Sequence, residues 1–182
     1  MKIQRILFIA APTLLFAIVS HGTARAQAKF SLTSPAFAAG ATISSEYTCS
    51  GANRSPALAW TGAPAKTAAF VLIVKDPDAP GGGFIHWVAY NLPARSASLP
   101  AGVARAETIP GGGWQGVNSF GRIGYDGPCP PPGHEHRYHF RLMALDAPVR
   151  IHFMAQADAG EVKAAAAGHI IATAKLIGTF SR

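Results

Sequence analysis

Three stretches of the chain carry apolar side chains in strand-like patterns. Phe70 to Lys75 is a near-continuous apolar run with β-branched members, the signature of a central strand. Phe84 to Asn91 and His136 to Leu145 are the second and third. Lys29 to Thr33, Leu58 to Trp60 and Ala174 to Phe180 give weaker strand signals. Between the first two strong runs, Asp76 to Gly83 is rich in Pro and Gly and reads as a loop. One segment has a different period. Gly160 to Ala172 is dominated by alanine, with Val162, Ala166 and Ile170 at helical spacing. Asp158 can cap its N-terminus, and Glu161 three residues later completes a capping-box pattern. The pattern predicts a mostly β chain, a sandwich, with one helix packed on the sheet near the C-terminus. Frequent turn residues agree with this, at 19 Gly and 14 Pro. Pro110 to Gly133 is crowded with both, and Trp114, Phe120 and Tyr125 can anchor it. It reads as an ordered loop lining a site.

The first residues are not part of this pattern. Lys2 and Arg5 precede an apolar run from Ile6 to Val19, and Ala24-Arg25-Ala26 resembles a cleavage site. That is the layout of a secretory signal peptide over residues 1–26. The run is shorter than the roughly 20 residues of a membrane span. The expected product is one exported domain, residues 27–182, with no stable membrane insertion. Removing Lys2, Arg5 and Arg25 leaves 13 basic residues against 9 acidic ones. No basic run occurs, which argues against a nucleic-acid partner. Cys49 and Cys129 are the two cysteines. An oxidising compartment favours their pairing, and two buried free thiols are the alternative.

The candidate chemistry gathers around the loops. Asp76 follows a strand directly and can orient a histidine or bond only its own turn, which Pro77 and Pro80 stiffen. Asp78 reads as turn chemistry. His86 opens the next strand, where a hairpin brings it beside Asp76. Alternation would put Phe84, His86, Val88 and Tyr90 on one face, so a core role for His86 competes with a site role. In the third strand His136 and Tyr138 share one face, and Arg137, His139 and Arg141 the other. His139 is thus expected on the outer polar face, and His136 and His139 cannot share one ion. A zinc site of Asp76, His86 and His136 is possible in principle. Gly127-Pro128 leads toward His136. Backbone N–H groups of Gly127 and Gly133, beside imidazoles and the Tyr138 hydroxyl, would suit a small oxyanion. His169 is expected to pack or cap. Asn53-Arg54-Ser55 reads as a turn. No cofactor-binding fingerprint and no nucleophile-elbow pattern is present.

These motifs resemble the phosphatidylethanolamine-binding protein family, also called Raf kinase inhibitor-like proteins, and most closely its bacterial YbhB/YbcL-type branch. The resemblance rests on Tyr47-Thr48-Cys49, Ser55-Pro56, Asp76 to Pro80, His86-Trp87, Asn91-Leu92-Pro93, Phe120-Gly121, Gly124-Tyr125, Gly127-Pro128 and His136-Arg137-Tyr138. It implies a β-sandwich with a small anion-binding cleft at one end. Asp76, His86, His136 and Tyr138 fall on the family's pocket positions, with Pro80, Gly127 and Pro128 nearby. It also implies a Cys49–Cys129 bridge pinning the 127–133 loop. The implied partner is a small anion or a phospholipid headgroup, and a protein partner at the pocket rim is the alternative. A hydrolase using His86 or His136 as base is a third reading. Gly81-Gly82-Gly83 is a short loop for the family, and Pro130 to Pro132 has one proline more than usual.

Overall fold

The computed structural model describes residues 28–152 and 154–182. The expected leader, residues 1–26, lies outside the described residues. Among the described residues eight strands appear in order: β1 Ser31–Thr33, β2 Leu58–Thr61, β3 Ala69–Asp76, β4 Phe84–Pro93, β5 Ser98–Leu99, β6 Trp114–Gln115, β7 His136–Leu145 and, after the helix α1 Ala159–Ala166, β8 Ile170–Phe180. They form a three-stranded sheet, β1-β2-β5, and a five-stranded sheet, β6-β4-β3-β7-β8, with every neighbouring pair antiparallel. The chain is the mostly β sandwich with one helix that its patterning predicts. The two-residue strands β5 and β6 are too short to show a period, and β6 falls inside the segment read as loop.

The apolar run of β3 has a physical cause. Phe70, Leu72 and Val74 enter the core between the sheets, with Trp60, Leu142 and Phe140. Val71 and Ile73 face the opposite way, into a second core that includes Tyr90, Met143 and, from α1, Val162 and Ala166. Both faces of β3 are covered, so both need apolar side chains. Burying each such residue stabilises the fold by roughly 1.5–3 kcal/mol.

Strand alternation fails in β4. Val74 pairs with Trp87, but Lys75 pairs with Ile85, so one residue of β3 opposes two of β4. This β-bulge leaves His86 as the extra residue. His86 and Trp87 then both turn toward the inner side, where the His86 ring meets Tyr138 and Trp87 joins the inter-sheet core. Val88 and Tyr90 face α1 instead. The expectation that Phe84, His86, Val88 and Tyr90 share one face is therefore wrong beyond His86.

The helix is also shorter than its composition suggests. The capping box forms as expected: the Asp158 carboxylate accepts from the N–H groups of Gly160 and Glu161, and Glu161 reaches back to the Asp158 N–H. The helix stops at Ala166, and Gly168 at φ 86° reverses the chain. Ile170 to Ala172 belong to β8 because β7 offers partners from His136 to Leu145, and the ladder outweighs alanine's helix propensity. His169 bonds Asp146 at 2.9 Å near this reversal.

The edge of β8 is covered by the segment following β1. Gly40 and Ile43 donate to the carbonyls of Ile177 and Thr179, and Thr179 donates to Ala41. This protects an edge that would otherwise present unpaired backbone groups. The approach is close: a Cβ at Gly178 would lie 2.6 Å from Ile43 Cγ1 and 2.8 Å from Phe37 Cε2. Gly178→Ala should therefore cost roughly 1–3 kcal/mol by overpacking. Urea unfolding checks this, and an unchanged midpoint would show that the covering segment yields freely.

Candidate functional site

Antiparallel pairing sets the end of β3 beside the starts of β4 and β7. Asp76, Phe84, His86, His136 and Tyr138 thereby gather at one end of the large sheet. Asp76, His86 and His136 are all buried there.

Asp76 realises both roles considered for it. Its Oδ1 accepts from the backbone N–H groups of Asp78, at 2.9 Å, and Ala79, at 3.1 Å. Its Oδ2 accepts from His136 Nδ1 at 2.8 Å. The histidine it orients is His136. Asp78 does more than shape the turn. It receives the Arg137 backbone N–H and guanidinium at 2.9, 2.9 and 2.6 Å, tying the loop to the start of β7. The Arg137 hydrogen bonds hold the Asp78 carboxyl well below the usual carboxylate range.

His86 is held differently. Its Nδ1 lies 2.8 Å from the Asp126 carbonyl. A carbonyl only accepts, so Nδ1 carries the proton and neutral His86 has a lone pair at Nε2. Burial lowers its pKa from 6.5, partly offset by the Asp126 carbonyl and the Asp76 charge. The Tyr138 ring stands edge-on to His86, with centroids 5.2 Å apart. Its buried hydroxyl makes no close hydrogen bond, has the Asp76 carboxylate and the Cys129 backbone as polar neighbours, and lies outside the cavity lining described below. Burial and Asp76 push its ionisation far above the usual tyrosine range, so it remains a donor.

The loop supplying the Asp126 carbonyl is anchored by the Asp126 side chain. That carboxylate is 1% exposed and meets Arg105 at 2.7 Å and Arg122 at 2.8 Å. Asn118 donates to it at 2.8 Å and Asn53 at 3.3 Å. Four donors satisfy a buried charge that would be prohibitive alone.

Together these elements enclose a cavity of about 240 Å³. Asp76, His86, His136 and Pro80 line it, with Phe84, Phe120 and Pro130 among its apolar walls. Phe120 is 38% exposed and stacks edge-on to Phe84 at 4.7 Å, with the Arg122 guanidinium 5.1 Å from its ring centre. The Cys49–Cys129 disulfide forms, with Cα atoms 5.4 Å apart, and Cys129 is part of the wall.

Gly127 and Pro128 stand differently from expectation. Both are buried and outside the cavity lining. The Gly127 N–H donates to Asn53 Oδ1 at 2.7 Å, and the Gly133 N–H to the Arg182 carbonyl at 3.2 Å. Neither is a free donor for an anion. The wall comes instead from Cys129, Pro130 and Pro131. Asn53, read as a turn residue, is the strut that places Gly127. Among the described residues no three His, Cys, Asp or Glu side chains cluster as metal ligands, so the zinc arrangement has no geometric support. Asp126, Arg105, Arg122 and Phe84 went unrecognised in the sequence as parts of the site. An acid flanked by Tyr125 and Gly127 inside an apolar Gly/Pro loop was the available signal for Asp126.

A two-sheet sandwich with a small cavity at the strand ends defines a class of binding domain. Residues 33–181 match the family described as phosphatidylethanolamine-binding protein, and the chain belongs to that family. It is 45% identical over 140 residues to a UPF0098 protein of Methanothermobacter thermautotrophicus, covering 77% of this chain and 91% of the relative. It is 41% identical over 150 residues to a UPF0098 protein of Aquifex aeolicus, covering 82% and 86%. Among solved structures, Escherichia coli YbcL, described as a member of the mammalian PEBP family, matches with TM-score 0.77. It is 34% identical, covering 85% of this chain and 99% of that one. The putative PEBP homologue CT736 of Chlamydia trachomatis matches with TM-score 0.76 and 38% identity, covering 85% and 98%.

Replacing both cations at Asp126, in Arg105→Ala with Arg122→Ala, leaves a buried carboxylate with only amide donors. The expected cost is about 3 kcal/mol, at the low end for a broken buried pair because both arginines are partly exposed. Chemical denaturation measures it. A loss below about 0.5 kcal/mol would show that the amides alone carry the charge.

Proposed function

We propose that this protein is an exported binding module, one domain over residues 27–182 released from a signal peptide, that takes a small oxyanion in the end cavity. The fitting ligand class is the phosphorylated headgroup of a phosphatidylethanolamine-like molecule. The observation that carries this reading is the polar floor. Buried Asp76, His86 and His136 line the cavity. His86 and His136 are each fixed through Nδ1, and neither Nε2 bonds any described residue. A cavity of about 240 Å³ lies just below the roughly 300–1,000 Å³ of drug-sized sites. It suits a headgroup better than a whole lipid, and Phe120 at its wall offers an apolar contact for the rest. The lining has no aliphatic hydroxyl or amine, and its one cysteine is in the disulfide. That favours binding over hydrolysis. Exposed Phe120 also favours a second reading, docking of a protein partner on the rim.

The histidine geometry sets a pH dependence. Neutral His86 would present a lone pair to an oxyanion and repel it. Favourable contact requires the imidazolium, which donates from Nε2. The ligand-free pKa is depressed, so anion binding draws in a proton, and affinity falls as pH rises. The limit is about tenfold per pH unit for one proton. Without ligand the same depression has the opposite consequence: stability falls as pH drops below the ordinary histidine value of 6.5, because the unfolded chain protonates more readily.

Calorimetric titration of protein purified after expression of the full chain, with phosphate, phosphoethanolamine and acetate, tests this. Acetate keeps one charge above about pH 6, so it isolates the histidine. Saturable binding that strengthens on acidification and weakens at least about tenfold in His86→Ala is expected. An affinity unchanged between about pH 5 and 8 would exclude the imidazolium. Absence of binding, together with capture of a periplasmic protein that depends on Phe120, would favour the rim reading.

A further inference from the structure

The basic residues are scattered in sequence, but the sheet register assembles several of them. On the outer face of the five-stranded sheet, Ile73, Arg141 and Lys175 form one row across β3, β7 and β8. Lys75, His139 and Ile177 form the next row. Lys163 on α1 closes the group from the side. Ile73, Lys75, His139, Arg141, Lys163 and Lys175 line a cavity of about 150 Å³.

This cluster lacks its own counter-charges. Among the described residues, none of Lys75, Arg141, Lys163 and Lys175 pairs with a carboxylate. The Lys75 ammonium donates to the Gly82 carbonyl, a neutral acceptor. The acids whose charge reaches the cluster are already occupied: Asp78 by Arg137, Asp76 by His136 and Asp158 by the helix cap. Arg141 stands directly opposite Lys175, an arrangement that destabilises a sheet pair. Burial and the charges of Lys75 and Arg141 push the Lys163 amine down. His139, expected on an open polar face, is half-buried here, and its Nε2 is enclosed without a partner. A fold that tolerates four converging cations and an unsatisfied imidazole nitrogen gains stability when an anion enters.

We propose that this outer cavity is a second oxyanion site, taking a multiply charged phosphate group such as pyrophosphate or a phosphomonoester. The size argues for a small ligand. Adjacent strands lie about 4.8 Å apart, so cations from three strands converge over roughly 10 Å, the scale of one or two phosphates. It is separate from the end cavity: its side chains project from the opposite face of β3 and β7, and the two linings share no residue.

The test uses protein from the full chain carrying His86→Ala, so that binding in the end cavity is weakened and the outer site dominates the signal. Calorimetry with pyrophosphate should show saturable binding that weakens with added salt. Adding Arg141→Gln and Lys175→Gln should weaken it at least about tenfold. In otherwise wild-type protein that pair of changes should leave acetate binding unchanged. It should also raise the ligand-free melting temperature, because the repulsion is gone, and abolish the rise that pyrophosphate causes. Phosphatidylcholine vesicles with and without phosphatidic acid then distinguish the source. Binding to the phosphatidic acid vesicles that is lost in the double variant marks a lipid-borne phosphate. Pyrophosphate binding without vesicle binding marks a soluble one. No saturable pyrophosphate binding, equal affinity in the double variant, or binding only to a DNA oligonucleotide would overturn the proposal.

Discussion

The end cavity depends on one buried carboxylate. Asp126 would be intolerable at 1% exposure without its two guanidiniums and two amides. With them it becomes a fixed point inside a segment rich in glycine and proline. Its side chain fastens that segment to Arg105 and braces it internally through Arg122, and its carbonyl fixes the tautomer and direction of His86. Asn53 links the same point to the N-terminal half of the chain and holds Gly127 in place. The disulfide acts on the next stretch, tying Cys129 to Cys49. A loop of this composition would otherwise sample many conformations, and a site built on it would be loosely defined.

The second constraint is the bulge in β4. A regular strand would carry His86 and Val88 on the same face, and the histidine would compete for space with residues packed under α1. One extra residue rotates the strand by half a period. His86 then opens onto the cavity while Val88 and Tyr90 remain in the helix-side core. Asp76 and Asp78 divide the work of the facing loop. The first orients His136 and shapes the turn, and the second clamps it to Arg137. Two imidazoles thus reach one cavity from two strands, each fixed through Nδ1 by a different acceptor.

The two faces of the large sheet differ in charge as well as packing. The inner end presents histidines and a tyrosine beside aromatic walls. The outer face presents lysines and an arginine without paired acids. Both patterns arise from the same ladders, since β7 alternates His136 and Tyr138 inward with His139 and Arg141 outward.

Much of this was legible in the sequence, for local reasons. Periodicity located β3, β4 and β7, because burial on one or both faces dictates which positions are apolar. Asp158 and Glu161 announced the helix start, because capping acts within three residues. The order of motifs identified the family and pointed to Asp76, His86 and His136, which the fold brings to one cavity, and to Tyr138, which lies outside its lining. What only the tertiary structure decided involves contacts between distant parts of the chain. The β4 bulge, the early end of the helix at Ala166 and the strand at Ile170 follow from pairing with neighbours that no local pattern names. The Asp126 network joins residues from 53 to 126, and it takes up the Gly127 N–H that composition alone left free. The basic cluster is the clearest case. Lys75, Arg141, Lys163 and Lys175 are isolated along the chain and meet only because strand register and helix docking superimpose them, and charge acts through space rather than along sequence.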